Sequence, residues 1–200
     1  MFLSKSPVRS AFDPILVEDP VFLRSPAASD HKEWARLREL SRPHLITWEQ
    51  DWTPELLSVA SYRRRLRLFE REAKSASGLS LFIFLSDDRA LVGGLTLTNI
   101  RYGAARAGTL GYWIGAPYLC KGYGAAAVEA LLAHAIETLD LNRIEAACQT
   151  GNVASQRLLT AAGFSREGSA RDYLKINAEW CDHDLYAITA RSYRERKASA

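Results

Sequence analysis

The sequence predicts a single domain of mixed α/β (α+β) class, with helices and strands interleaved around one sheet. Three observations predict it. The apolar period is helical in the first third of the chain, alternates between Leu79 and Ala116, and returns to helical after Gly122. The order that results is strand, two helices, three strands, helix, strand, helix, two strands. Finally, two glycines and three alanines stand immediately ahead of an otherwise regular apolar helix in "LCKGYGAAAVEALLAHA".

"VFLRSP", from Val21, reads as a short first strand. Ser29 or Asp30 caps a helix that runs to about Ser41, where Pro43 stops it. Thr53 followed by Pro54 is a cap with proline at the first helical position. The helix behind it carries Leu56, Val59, Leu66 and Phe69 on one stripe and ends before Gly78. "LSLFIFLS" and "ALVGGLTLTNI" read as neighbouring strands joined by a turn at Asp87 and Asp88, and "AGTLGYWIGA" as a third, stopped by Pro117. From Gly122 to about Leu139, residues Val128, Leu131, Leu132, Ala135, Ile136 and Leu139 line one helical face. "RIEAAC" is a short strand, and Asn152 caps the helix "VASQRLLTAA", which stops at Gly163. "FSREGSARDYLKI" and "EWCDHDLYAITA" form a hairpin around Asn177 and Ala178.

Composition narrows the functional class. Two hundred residues bury one sizeable core, and a net charge of +3 is too small to argue for nucleic acid by itself. Cys120, Cys148 and Cys181 show no metal-ligand spacing, so a structural zinc site is not expected. The first twenty residues are broken by prolines and charges and do not read as a signal peptide. No apolar run approaches the ~20 residues that span a bilayer. The expectation is a reduced, soluble, cytoplasmic protein.

Glycine inside a helix costs roughly 1 kcal/mol against alanine. At a helix entrance it lets a bound group approach the backbone, where free N–H donors suit an anion. "CKGYGA" is such an entrance, and an unspecialised turn explains the same residues. It is not a dinucleotide fingerprint: Pro117 cuts the preceding strand, and no acidic residue closes a βαβ unit about 20 residues on. A Walker loop is absent. Lys121 adds charge beside the loop, or is simply solvated. Asn152 and Ser155, three apart, share a face at the next helix start.

With this order of elements, the two stretches resemble the GNAT superfamily of acetyl-coenzyme A-dependent N-acetyltransferases. That superfamily's Q/R-x-x-G-x-G/A motif falls on Leu119-Cys120-Lys121-Gly122-Tyr123-Gly124, without the leading Gln or Arg. "GYWIG", "GNVASQRLL" with its following "GF", "ARDYLKINAEWCDHDLYAI" and "HLITWEQDW" look like the RimJ branch of the RimJ/RimL ribosomal-protein N-terminal acetyltransferases. The resemblance covers about Val21 to Tyr193, which implies an acetyltransferase domain over 21–193, an extension over 1–20 and a tail over 194–200. It also implies a mixed, mostly antiparallel sheet of about seven strands, helices on both faces, and a splayed parallel pair, "TLGYWIG" and "RIEAAC", that holds the coenzyme.

Several roles follow from the resemblance. Backbone around Tyr112, Trp113 and Ile114 pairs with the pantetheine arm. Lys121, Gly122, Tyr123, Gly124 and Ala125 hold the pyrophosphate, and Asn152, Ser155 and Arg157 complete the coenzyme site. Ser155 protonates the departing thiolate, and Glu49 or Asp172 serves as base, with Glu49 favoured. Trp48, Glu49, Tyr173, Trp180 and His183 wall the acceptor groove. No metal is implied. The implied acceptor is the N-terminal amine of a ribosomal protein that starts with Ala or Ser. A small amine, or an RNA-binding assembly role with a secondary acetyl-CoA site, are the rivals. Arg63, Arg64, Arg65, Arg67 and Arg71 read as a solvated helix face, or more sharply as a weak contact for the ribosome or its RNA.

Overall fold

The structure is a computed structural model that describes residues 13, 15–49 and 52–199. Eight strands form one sheet in the order β1-β2-β3-β4-β5-β6-β8-β7. They are β1 (Ile15–Glu18), β2 (Val21–Arg24), β3 (Leu79–Leu85), β4 (Leu91–Arg101), β5 (Ala107–Ile114), β6 (Arg143–Gln149), β7 (Ser165–Ile176) and β8 (Glu179–Thr189). Only β5 and β6 run parallel; every other neighbouring pair is antiparallel. The predicted class therefore holds, with one strand more than expected. That strand, β1, lies within the stretch read as an extension; the rest of that stretch, apart from residues 13 and 19–20, is outside the described residues.

Alternation along β3 builds both layers. Leu79, Leu81 and Ile83 face the larger core with Val128, Leu131 and Leu132 of α3 (Tyr123–Ala133). Phe82 and Phe84 face the opposite cluster, which holds Trp34 and Leu37 of α1 (His31–Leu45) and Tyr62 of α2 (Val59–Lys74). Helices thus cover both faces of β3, whose positions are apolar on both sides except at Ser80.

Two helix boundaries differ from the sequence reading, and the first difference matters for function. Pro43 lies inside α1, not beyond it. Proline there removes one N–H, but it stands in the last turn, and Ile46 N–H still reaches Arg42 O at 3.0 Å. The added turn carries His44 and Leu45 beside the end of β5. At the second helix, Pro54–Leu57 form only a 3-10 turn, and Ser58 rather than Thr53 caps α2, accepting from Ser61 N–H at 3.1 Å. The resulting phase exposes Val59 and buries Tyr62, whose hydroxyl donates to Ala27 O at 2.8 Å.

Helix α3 starts directly after Gly122 and continues as a π-helical turn over His134–Thr138. Helix α4 (Val153–Ala161) is capped by Asn152 as expected. A fifth helix, α5 (Ala190–Ala198), crosses the boundary drawn at Tyr193. Thr189 and Ser192 cap it reciprocally, and Arg196 and Lys197 pair with Glu129 of α3.

Candidate active site

The parallel pairing of β5 with β6 begins at Ala107 and Arg143 and ends at Leu110 and Ala146. Beyond that point β5 stays on β4 through Ile114, so its other edge opens into a wedge. Gly115 N–H donates to Val92 O at 2.8 Å. Backbone groups alternate between the two sides of a strand, so Gly111 and Trp113 face β4 while Tyr112 and Ile114 present N–H and C=O to the wedge. Consistent with that direction, His44 Nε2 lies 3.1 Å from Ile114 O. Ser41 Oγ accepts from Ala116 N–H at 2.9 Å, which ties α1 to the end of β5.

The wedge opens into a cavity of about 630 Å³ that contains the loop at Gly122, the start of α4 and the exposed ends of β5 and β6. Gly122 has φ +82°, a conformation that L side chains rarely adopt, and a Cβ there would meet nothing within 4 Å. Gly122 itself lines the cavity. Ala126 N–H, bonded to Gly122 O at 3.1 Å, is the first in α3 to find a helical partner. The preceding N–H groups and the positive end of α3 therefore form an anion cradle. Gly124 serves a different purpose: its missing Cβ would lie 2.9 Å from Leu158 of α4, so it allows the two helices to approach. Lys121 is exposed, with Nζ 5.8 Å from the Tyr118 ring centroid, and Arg157 is an exposed part of the cavity wall.

At the apex, Tyr112 hydroxyl and Ser155 Oγ are 2.7 Å apart. Burial pushes the Tyr112 phenol up to about 12 despite the bond to Ser155, so it remains protonated across neutral pH. Asn152 Oδ1 accepts from Ser155 N–H at 3.1 Å and fixes the serine in place. The buried Cys148 on β6 also faces Ser155, and desolvation raises its thiol above the ordinary range. The sequence reading assigned only backbone to Tyr112; a β-branched or aromatic strand position carries no mark of where its hydroxyl will point.

On the far side of β5 lies a second cavity of about 450 Å³, and Trp48, Glu49, Gly111, Tyr112, Trp113, Leu174 and Ile176 line both. An acyl group in one cavity and an acceptor in the other would meet across β5. Arg38, buried on α1, holds Glu49 by two bonds of 2.8 and 2.5 Å and is sandwiched between the rings of Trp52 and Trp113 at 4.5 and 4.9 Å. Arg65 of α2 also lines this cavity, 5.7 Å from the Trp34 ring centroid. Desolvation, then repulsion from Arg38, lowers the pKa of Arg65. The solvated-face reading therefore fails for Arg65, although Arg63, Arg64, Arg67 and Arg71 are exposed.

The structure thus brings together Trp48, Glu49, Tyr112, Trp113, Ile114, Ser155 and the Gly122 loop. His183 is buried and lines the first cavity but not the second, its Nδ1 2.9 Å from Cys181 O. It does not bring in Asp172, which sits exposed on a bulge of β7 with φ +47° and its N–H donating to Asp182 Oδ1 at 2.9 Å. Tyr173 and Trp180 are 45% and 61% exposed and line neither cavity. From the same hairpin, Leu174 and Ile176 do. Among the described residues no group of three or more His, Cys, Asp or Glu is placed to hold a metal ion.

The family described as Acetyltransferase (GNAT) domain matches residues 21–165. The chain belongs to this family. It is 31% identical over 149 residues to the [ribosomal protein uS5]-alanine N-acetyltransferase of Escherichia coli (strain K12), covering 74% of this chain and 77% of that one. It is 29% identical to the probable N-acetyltransferase YjcK of Bacillus subtilis (strain 168), over 84% and 93% of the two chains. The solved structure of Mycobacterium smegmatis RimJ in complex with CoA-disulfide superposes with a TM-score of 0.83 at 31% identity, over 93% and 92% of the chains. This GNAT enzyme is an acetyl-CoA-dependent N-acetyltransferase of RimJ type. Its wedge fits the coenzyme on the donor set alone: a free-amide cradle for phosphate, an open strand edge for the amide-bearing arm, and hydroxyls at the apex.

Proposed function

We propose that the enzyme acetylates the N-terminal α-amine of a ribosomal protein beginning with Ala or Ser. One observation carries the choice of an α-amine. Glu49 is the only carboxylate on the wall of either cavity among the described residues, and both its oxygens are held by Arg38. With both oxygens accepting from Arg38, the carboxylate is not free to take a proton from the acceptor. An α-amine, with pKa near 7.7–8.0, is neutral in roughly a tenth of molecules at pH 7, whereas a lysine amine near 10.4 is neutral in about one in two thousand. The site suits the acceptor that needs little help. The uS5-alanine acetyltransferase relatives support the ribosomal acceptor, and a cytoplasmic location goes with that reading. No described helix is long and apolar enough to cross a membrane.

Acetyl-CoA supplies an activated thioester. The N–H groups leading into α3 and the helix's positive end hold its pyrophosphate, with Lys121 and Arg157 adding charge at the mouth. Tyr112 and Ile114 backbone groups align the arm, and Ile114 N–H is placed to polarise the thioester carbonyl. Asn152 acts by holding Ser155, since its Oδ1 is committed to the cap. Tyr112 and Ser155 together deliver the proton that the sulfur needs on departure. Glu49, held by Arg38, orients the incoming amine, whose proton leaves through solvent in the open groove; Trp48 lines both cavities, and His183 lines the coenzyme side only.

Hexapeptides with free N-terminal Ala or Ser, assayed by thiol release, test this reading. Turnover above that of matched peptides beginning with Leu or Lys is expected. Equal kcat/KM across all four would refute the small-residue acceptor.

A further inference from the structure

The acceptor cavity carries more hydrogen-bond donors than acceptors. Arg38 Nε and Ser80 Oγ on its wall, and Trp52 Nε1 against Arg38, are buried without a hydrogen-bond partner among the described residues. The Arg65 guanidinium makes no hydrogen bond or ion pair with a described residue; its ordered contact is the Trp34 ring. Glu49 supplies the wall's only carboxylate among the described residues, and Arg38 occupies it. Two guanidinium groups thus face one carboxylate, and the unused hydrogen-bonding capacity is nearly all N–H and O–H. Such donors cost free energy when left unpaired in a partly dry site, so the fitting ligand is one that brings oxygens.

Resting on the α-amine reading above, we infer that the acceptor carries a carboxylate close behind its reacting amine, and that Arg65 binds it. The acceptor class is an acidic amino-terminal segment, with Asp or Glu within its first three residues. The positive excess has a second effect. It disfavours the ammonium form of the arriving amine and so enriches the neutral nucleophile, while the acceptor's carboxylate offsets the repulsion during binding. Arg65 is a specificity residue in this account. Burial and the neighbouring Arg38 hold it in an environment where an anionic partner is favourable.

The test compares two hexapeptides that differ only at the second residue, Ala-Glu and Ala-Gln, with free alanine as a third acceptor. The wild-type enzyme is expected to prefer the Glu peptide by about tenfold in kcat/KM, expressed mainly in KM; tenfold corresponds to about 1.4 kcal/mol. Arg65→Gln should reduce that preference to within twofold, and Arg65→Lys should keep part of it, with circular dichroism melts confirming that both fold. Equal wild-type rates on the two peptides overturn the inference without any variant, as does a preference that survives Arg65→Gln. Free alanine outrunning both peptides would assign the carboxylate to a small amino acid and overturn the peptide class. Failure of every peptide at its α-amine sinks the parent reading; α-acetylation without charge preference sinks this one alone.

Discussion

In the proposed mechanism Tyr112 and Ser155 form a single proton-delivery unit, and a double-mutant cycle on them reads out the apex of the wedge. Their oxygens are 2.7 Å apart, and Tyr112 stays protonated because burial holds its pKa at about 12. A departing thiolate with a pKa near 8.5 is a weak base, so the benefit of a positioned donor sits at the low end of the usual range, about 100-fold. Tyr112→Phe and Ser155→Ala should each lower kcat by about that factor, or about 2.7 kcal/mol, with KM for acetyl-CoA within a few-fold. Because either change breaks the same relay, the double variant should lose about 100-fold again rather than 10,000-fold, a coupling of about 2.7 kcal/mol. Stability should fall by about 1 kcal/mol in each single variant, the net worth of one hydrogen bond. Thiol release at saturating acceptor gives the rates, and urea unfolding gives the stabilities. Independent, multiplying losses in kcat, or wild-type kcat in Tyr112→Phe, would refute the shared relay.

Three further outcomes follow from the geometry. Gly122→Val places a β-branched residue at φ +82°, which costs about 1–2 kcal/mol locally and forces the helix entrance out of its left-handed turn, so coenzyme affinity should fall at least tenfold by calorimetry; unchanged binding would make the loop a plain turn. Asp184, buried on β8, has its pKa depressed by the bond from Arg166 and then by that from Ser169, so its stabilisation is present above the ordinary carboxylate pKa near 3.9 and lost as pH falls through the lower folded value; the urea midpoint gap between wild type and Asp184→Asn should be full at pH 7 and close in acid below pH 4, and a gap independent of pH would contradict this. Asp172→Asn should leave the pH–rate profile between pH 6 and 9 at wild type, whereas Glu49→Gln should raise acceptor KM; a neutral-pH loss in Asp172→Asn that recovers above about pH 8 would restore it as the base.

The coenzyme half of the site was legible in the sequence because its determinants are local. Gly122 announces a helix entrance, Asn152 a cap, and the helical period from Gly122 a buried face, and each element sits where the residues say. The acceptor half was not, because it is assembled by contacts across the chain. Arg38 meets Glu49 only since α1 continues past Pro43, and Arg65 turns inward only since Tyr62, not Val59, sets the phase of α2. An arginine-rich run carries no sequence mark that separates its one inward member from the exposed ones. The bulge in β7 had the same effect at the other wall: between Ala170 and Leu174 the register shifts, so Asp172 and Tyr173 leave the groove and Leu174 and Ile176 enter it. Helix α5 was missed for lack of an apolar stripe, although Thr189 and Ser192 have the spacing of a cap.

The central claim is that this fold moves an acetyl group from acetyl-CoA to an α-amine with no strong base. Its most direct measurement is the site of acetylation on one peptide that carries both a free N-terminus, Ala, and an internal lysine. The peptide is incubated with enzyme and acetyl-CoA at pH 7 and read by fragment-ion mass spectrometry. Acetyl on the N-terminal nitrogen in at least a hundredfold excess over lysine, and no product from the same peptide blocked at its N-terminus, is the predicted result. Lysine acetylation at a comparable rate, or turnover of the blocked peptide, would contradict the account.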